Sequence, residues 1–150
     1  MIFKRGNLRK NLFLFYWFCF LAFTNVFAQD AGEESLDRGW IYIIAGNYDQ
    51  AIPDFNKAIQ LRPNDALAYY GLGSAYSIKR DYSQAHSEFN KAIKLDPNYG
   101  DAYNKRAWTY YFQGKYNEAW EDVQKAESLG IIINPKFLAA LKNKLSGREK

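Results

Sequence analysis

"NYDQAIPDFNKAIQLRPNDA", Asn47 to Ala66, and "DYSQAHSEFNKAIKLDPNYG", Asp81 to Gly100, are two versions of one segment, set 34 residues apart. Each carries Ala, Phe and Ala at helical spacing: Ala51, Phe55 and Ala58 in the first, Ala85, Phe89 and Ala92 in the second. That spacing gathers the apolar side chains on one helix face. Pro63 and Pro97 stop the helices, because proline disfavours helix in the residue before it. The register extends outward from these two copies. Tyr42, Tyr76 and Tyr110 align at the same shift, as do Tyr48, Tyr82 and Tyr116, then Leu61, Leu95 and Leu129. Three units, 32–65, 66–99 and 100–133, therefore abut without insertion. A fixed period of this size predicts a solenoid, in which a unit buries its apolar face only against its neighbours.

Each unit reads as two helices. In the second, Tyr69, Leu72, Gly73 and Tyr76 recur at helical spacing ahead of the Ala85–Ala92 face. Gly46-Asn47, Arg80-Asp81 and Gly114-Lys115 break the pattern between the helices. Asn47 and Asp81 are predicted to cap the second helices, with Gln50 and Gln84 three residues on. Lys115 has no side-chain acceptor for that role. Pro53 is a local conflict, since it removes a backbone donor inside a helix. After the third unit, Asn134-Pro135 is a natural helix start. Phe137, Leu138, Leu141 and Leu145 then form one apolar stripe, predicting a helix over 135–145 that covers the last unit. Ser146–Lys150 should fray.

Three stretches carry a family resemblance: "YYGLGSAY" (Tyr69–Tyr76), "YSQAHSEFNKAI" (Tyr82–Ile93) and "LDPN" (Leu95–Asn98). With the 34-residue period, they resemble the tetratricopeptide repeat over Gly32–Ile133. The resemblance implies an all-α, right-handed α-solenoid of three helix-turn-helix units plus a C-terminal capping helix. The outer units depart from the family pattern. Ser35 and Arg38 stand where an aromatic and a leucine are usual; Arg106-Ala107, Val123 and Ile131 replace Leu-Gly, Phe and the closing Pro.

In this family the inner face of the first helices takes peptide segments. The resemblance implies a groove lined by Leu36, Trp40, Ile43 and Ile44 from unit one. Unit two would add Tyr70, Ser74, Ser77 and Ile78, and unit three Asn104, Trp108, Tyr111 and Phe112. These residues are more apolar than a solvated helix face, so they either bind a partner or are buried within the chain. Members that clamp a partner's terminal carboxylate use basic and asparagine side chains at positions held here by Leu36, Trp40, Gly71, Asp101 and Lys105. Only Lys105 would serve. The expected partner is a protein or peptide bound by a non-catalytic scaffold. The competing expectation is a structural subunit that self-associates through the same apolar groove.

The chain opens with Lys4, Arg5, Arg9 and Lys10, then "LFLFYWFCFLAF" (Leu12–Phe23), then "TNVFA". A charged start, a short apolar centre and a small-residue exit predict a signal peptide cut after Ala28. The alternative is an uncleaved anchor, although a membrane span needs about 20 apolar residues. The expectation is an exported protein, periplasmic or secreted, with no membrane span once the leader is cut, and membrane-anchored if it is not. Of 20 basic residues four lie in the leader, leaving 16 against 16 acidic ones. That balance gives no nucleic-acid footprint. The single cysteine, Cys19, also lies in the leader, so the remainder can form no disulfide.

Little points to chemistry. His86, the only histidine, stands where the sister units have Ile52 and Trp120, which is a packing position. Glycine-rich phosphate loops are absent. Glu118, Glu121 and Asp122, among lysines, read as a solvated face. No metal, cofactor or catalysis is expected.

Overall fold

The computed structural model describes residues 5–147, with side chains described from Phe27 onward and, before it, at Trp17 and Thr24. The described residues form seven helices: α1 (Arg5–Ile44), α2 (Tyr48–Leu61), α3 (Ala66–Ile78), α4 (Tyr82–Leu95), α5 (Gly100–Phe112), α6 (Tyr116–Ser128) and α7 (Pro135–Ser146). Helices pair as α1 with α2, α3 with α4 and α5 with α6, and each pair leans on the next. This is the all-α solenoid that the period predicts. The first helices also touch in sequence, α1 to α3 and α3 to α5, and so line the inner side of the stack.

Glycine positions show how closely the helices approach. A Cβ added at Gly39 or Gly71 would meet the Phe55 ring at 2.8 or 2.4 Å, so this one ring fills the space between α1 and α3. Gly73 stands in the same relation to Phe89. Phe55 and Phe89 have no exposed surface. Leu36, Ala51, Ala58, Ala68 and Leu72 complete the core around Phe55. A second core joins Ala107, Ala119, Val123 and Ala126 to Ile133, Phe137 and Leu141, so the last helix covers unit three.

Pro63 and Pro97 end their helices: α2 stops at Leu61 and α4 at Leu95. The Asp81 side chain accepts the Gln84 N–H at 3.2 Å, and Asn134 accepts from Lys136 and Phe137 at the start of α7. Asn47 makes no side-chain cap, contrary to its sequence reading. There α2 is held by packing instead, which also overrides Pro53: Ala51, Phe55 and Ala58 are all fully buried.

The turn inside each unit follows one pattern. The amide of Asn47 donates to the Tyr42 carbonyl at 2.8 Å, Asp81 to Tyr76 at 3.0 Å and Lys115 to Tyr110 at 2.9 Å. This is the Schellman closure, which needs a left-handed residue just before the donor. Gly46 (φ 76) and Gly114 (φ 74) supply it without steric cost. In unit two the residue is Arg80, at φ 64.

The helix α1 runs unbroken through Ala28–Gln29, so the first helix of unit one is the end of a longer helix. Lys4, in the charged start of the expected leader, lies outside the described residues, as do 148–150 of the end expected to fray; Ser146, at the start of that end, is instead the last residue of α7. Among the described residues no helix is long and apolar enough to cross a membrane.

Candidate partner-binding groove

The twelve side chains expected in the groove divide by environment. Ile44, Ile78 and Phe112 are open to solvent, with 86%, 47% and 56% of their surface exposed. They occupy one position in three successive units and form an apolar row along the first helices. Ser77, Ile78, Trp108 and Phe112 come together around a cleft of about 490 Å³ between α3 and α5.

Leu36 and Ser74 do not belong to that surface. Leu36 is buried in the Phe55 core. Ser74 is also buried, and its hydroxyl donates to the Tyr70 carbonyl at 2.8 Å. Leu36 falls inside because α2 and α3 close around it with Phe55, and Ser74 is a small side chain next to Gly73, where α3 lies against Phe89.

The aromatic members do structural as well as surface duty. Trp40 meets Phe55 edge-on at 5.3 Å and Tyr70 at 5.8 Å, while Ile43 lies half-buried against the same core. Tyr70 continues the chain of rings to Phe89 and Tyr99. Burial, with Asp101 adding, pushes the Tyr70 hydroxyl up to about 12, so it stays a neutral donor. Trp108 stacks on Phe137 of α7 at 3.9 Å and on Phe112 at 5.8 Å, and Tyr111 meets Phe137 edge-on. Of the two indoles expected in the groove, Trp40 thus lies against Tyr70 and Trp108 against Phe112 and Phe137. Asn104 is half-buried, and its Oδ1 is enclosed with no hydrogen-bond partner among the described residues.

Sequence reasoning missed several residues. Phe137 backs the groove because α7 folds over unit three; the stripe of α7 and its place on the last unit were visible in the sequence, the stacking of this ring on Trp108 was not. Tyr82 stacks on Phe112 at 5.6 Å and lines the cleft with Arg80 and Lys105.

The departures at Arg38 and Arg106 also have a partner that spacing alone did not reveal. Arg38 grips Asp54 through Nε and a terminal nitrogen at 2.9 and 2.6 Å, and Arg106 grips Asp122 likewise at 2.7 and 2.6 Å. These two-pronged pairs replace the family's leucine contact with a directional one. Asp122 is thus no solvated carboxylate: burial pushes its carboxyl up, with the Arg106 hydrogen bonds pulling it back.

His86 meets Tyr110 at 3.9 Å between α4 and α5. Burial, with Arg106 and Lys115 adding, lowers its pKa to about 4, so the ring is neutral near pH 7 and serves as packing.

Comparison with known proteins gives a consistent picture. Family matches described as "TPR repeat" and "Tetratricopeptide repeat" cover residues 39–77, 66–99 and 88–121. Among solved structures, the second TPR of Spaghetti (RPAP3), bound to the HSP90 peptide SRMEEVD, is similar at 28% identity. Its match covers 71% of this chain and 97% of that one with a TM-score of 0.68. The first TPR domain of human RPAP3 shares the fold at 24% identity, over 81% and 97% of the two chains, with a TM-score of 0.76. The MamA protein is 32% identical over 66% of this chain, with a TM-score of 0.63, and the match spans about half of MamA, 54%. No curated protein matches the chain by sequence.

Proposed function

Because this chain belongs to the tetratricopeptide repeat family, we propose that it is a non-catalytic scaffold whose first helices hold a peptide segment or partner protein along their shared inner face. The observation that carries this reading is the row Ile44, Ile78 and Phe112, three large apolar side chains left open at one position of three units. A surface of that kind marks an interaction site. The similar RPAP3 repeat, solved with an HSP90 peptide, supports a peptide-binding role. The mode of recognition differs from an end-carboxylate clamp. Of the five positions where such a clamp would sit, Leu36 is buried, Gly71 lies against Phe55 and Trp40 is held by aromatic contacts. Asp101 carries the wrong charge. Apolar anchoring is left as the principal contact.

The test removes the row without touching the core. In a triple variant, Ile44→Ser, Ile78→Ser and Phe112→Ser, the helical circular-dichroism signal should persist, because all three side chains are exposed. Each loss at an interface centre is worth about 2 kcal/mol or more, so proteins captured by the wild-type chain should be lost. Unchanged capture by a folded variant would place the partner on another face.

We also propose that the chain is exported and cut after Ala28, on the strength of the basic start, the short apolar run and "VFA" before Gln29. Removing 1–28 keeps the part of α1, from Gly32, that packs on Leu61 and Arg62. Intact mass of the exported protein should begin at Gln29. Exported material that retains Leu12–Phe23 refutes this.

A further inference from the structure

Unit two places an arginine where its sister units place glycine. Arg80 holds the left-handed turn at φ 64, a conformation that costs a residue bearing a Cβ roughly 1 kcal/mol or more. Gly46 and Gly114 show that the turn closes with no side chain there. The side chain of Arg80 earns no compensation inside the protein: Arg38, Arg62 and Arg106 all hold carboxylates, whereas Arg80 makes no ion pair among the described residues. It lines the cleft between α3 and α5 instead, with Lys105, which also makes no ion pair among the described residues. The rest of that lining is Ser77 and four apolar or aromatic side chains, and it contains no acid. Tyr82, Phe112 and Trp108 form a continuous stack along it, at 5.6 and 5.8 Å. Asp101, one helical turn before Lys105, exerts its charge on Tyr70 and Tyr99.

Two exposed cations with no ion pair among the described residues, beside an aromatic wall, define a complementary ligand. We infer that this cleft takes an acidic, apolar peptide segment of the partner, with an apolar side chain on the Trp108–Phe112–Tyr82 stack and a neighbouring side-chain carboxylate between Arg80 and Lys105. The inference rests on the groove reading above and adds partner chemistry to it. Opposite charge supplies selectivity, since a basic segment would bring like charges together in a partly enclosed site. The strain at Arg80 is then a stability cost retained for binding.

The experiment uses the full chain and short, amidated, fluorescently labelled peptides. One alternates leucine with glutamate, and its counterparts carry serine or lysine in place of glutamate. The glutamate peptide should bind about tenfold or more tightly than the serine one, the size of a charge-assisted contact, and the lysine peptide more weakly still. Arg80→Gly should weaken the glutamate peptide by about tenfold while leaving the melting temperature unchanged or raised, because glycine adopts this φ freely. Lys105→Ala should weaken it as well.

Equal binding of the glutamate and serine peptides, no binding of either, or full affinity in Arg80→Gly each overturns the inference. A free-acid peptide that binds far more tightly than its amide would show end-carboxylate recognition and overturn it too. None of these results touches the groove reading, which stands or falls on the triple serine variant. If that variant still binds the glutamate peptide fully, the groove reading fails with it.

Discussion

Phe89→Ala is expected to lower the stability of the fold by about 3–5 kcal/mol, the range for deleting a buried phenylalanine. Phe89 has no exposed surface and lies against Gly73, where even a methyl group would come within 2.8 Å of its ring. Alanine would therefore leave a cavity between α3 and α4 that neither helix can close without shifting. The ring also meets Tyr70 at 6.0 Å, so the loss spreads to the inner face. A domain's net stability is only about 5–15 kcal/mol, and in a solenoid the middle unit supports both neighbours. Thermal or denaturant unfolding should show a large drop in midpoint. An unchanged midpoint would mean that the register of the second helices is wrong.

The second large effect concerns Arg106 and Asp122. Asp122→Ala leaves a guanidinium with 16% side-chain exposure and no carboxylate to hold. Breaking a buried ion pair from one side costs about 3–5 kcal/mol. The double variant Arg106→Leu/Asp122→Leu should recover most of that loss, because replacing both charges with apolar groups removes the desolvation penalty along with the attraction. Unit two offers a precedent for half of the exchange: Leu72 occupies the equivalent of Arg106 and is buried, while Glu88, the equivalent of Asp122, is a buried carboxylate held by Lys91. Removing Asp54 should matter less, since its partner Arg38 is more exposed at 37%. Urea unfolding of the three variants checks the order. Should the double variant be as unstable as Asp122→Ala, the pair is not the cause and the leucines do not fit.

Short-range periodicity was enough to set the number and order of the helices in the three repeat units and the ends of α2 and α4. Ala51–Phe55–Ala58 and its copy at Ala85–Phe89–Ala92 can face a core only as helices, and Pro63 and Pro97 end them by local sterics. The repeat followed from the 34-residue shift, and the family from "YYGLGSAY" and "LDPN" in register with it.

What lies open on the inner face was decided by tertiary structure. Leu36 and Ile44 sit on the same stretch of α1 and look alike in sequence, yet one is buried in the core that α2 and α3 build around Phe55 and the other is 86% exposed. Exposure depends on how near the neighbouring helix comes, and that distance is set by Gly39, Gly71 and the one ring of Phe55 between them. The same holds for charge. Arg38 and Arg106 looked like plain departures from the family pattern, and the facing helix turned each into an ion pair across 16 residues. Arg80 looked like an ordinary turn residue. Only the closed turn shows that it holds a glycine's conformation, and only the stacking of units two and three brings it beside Trp108 and Lys105.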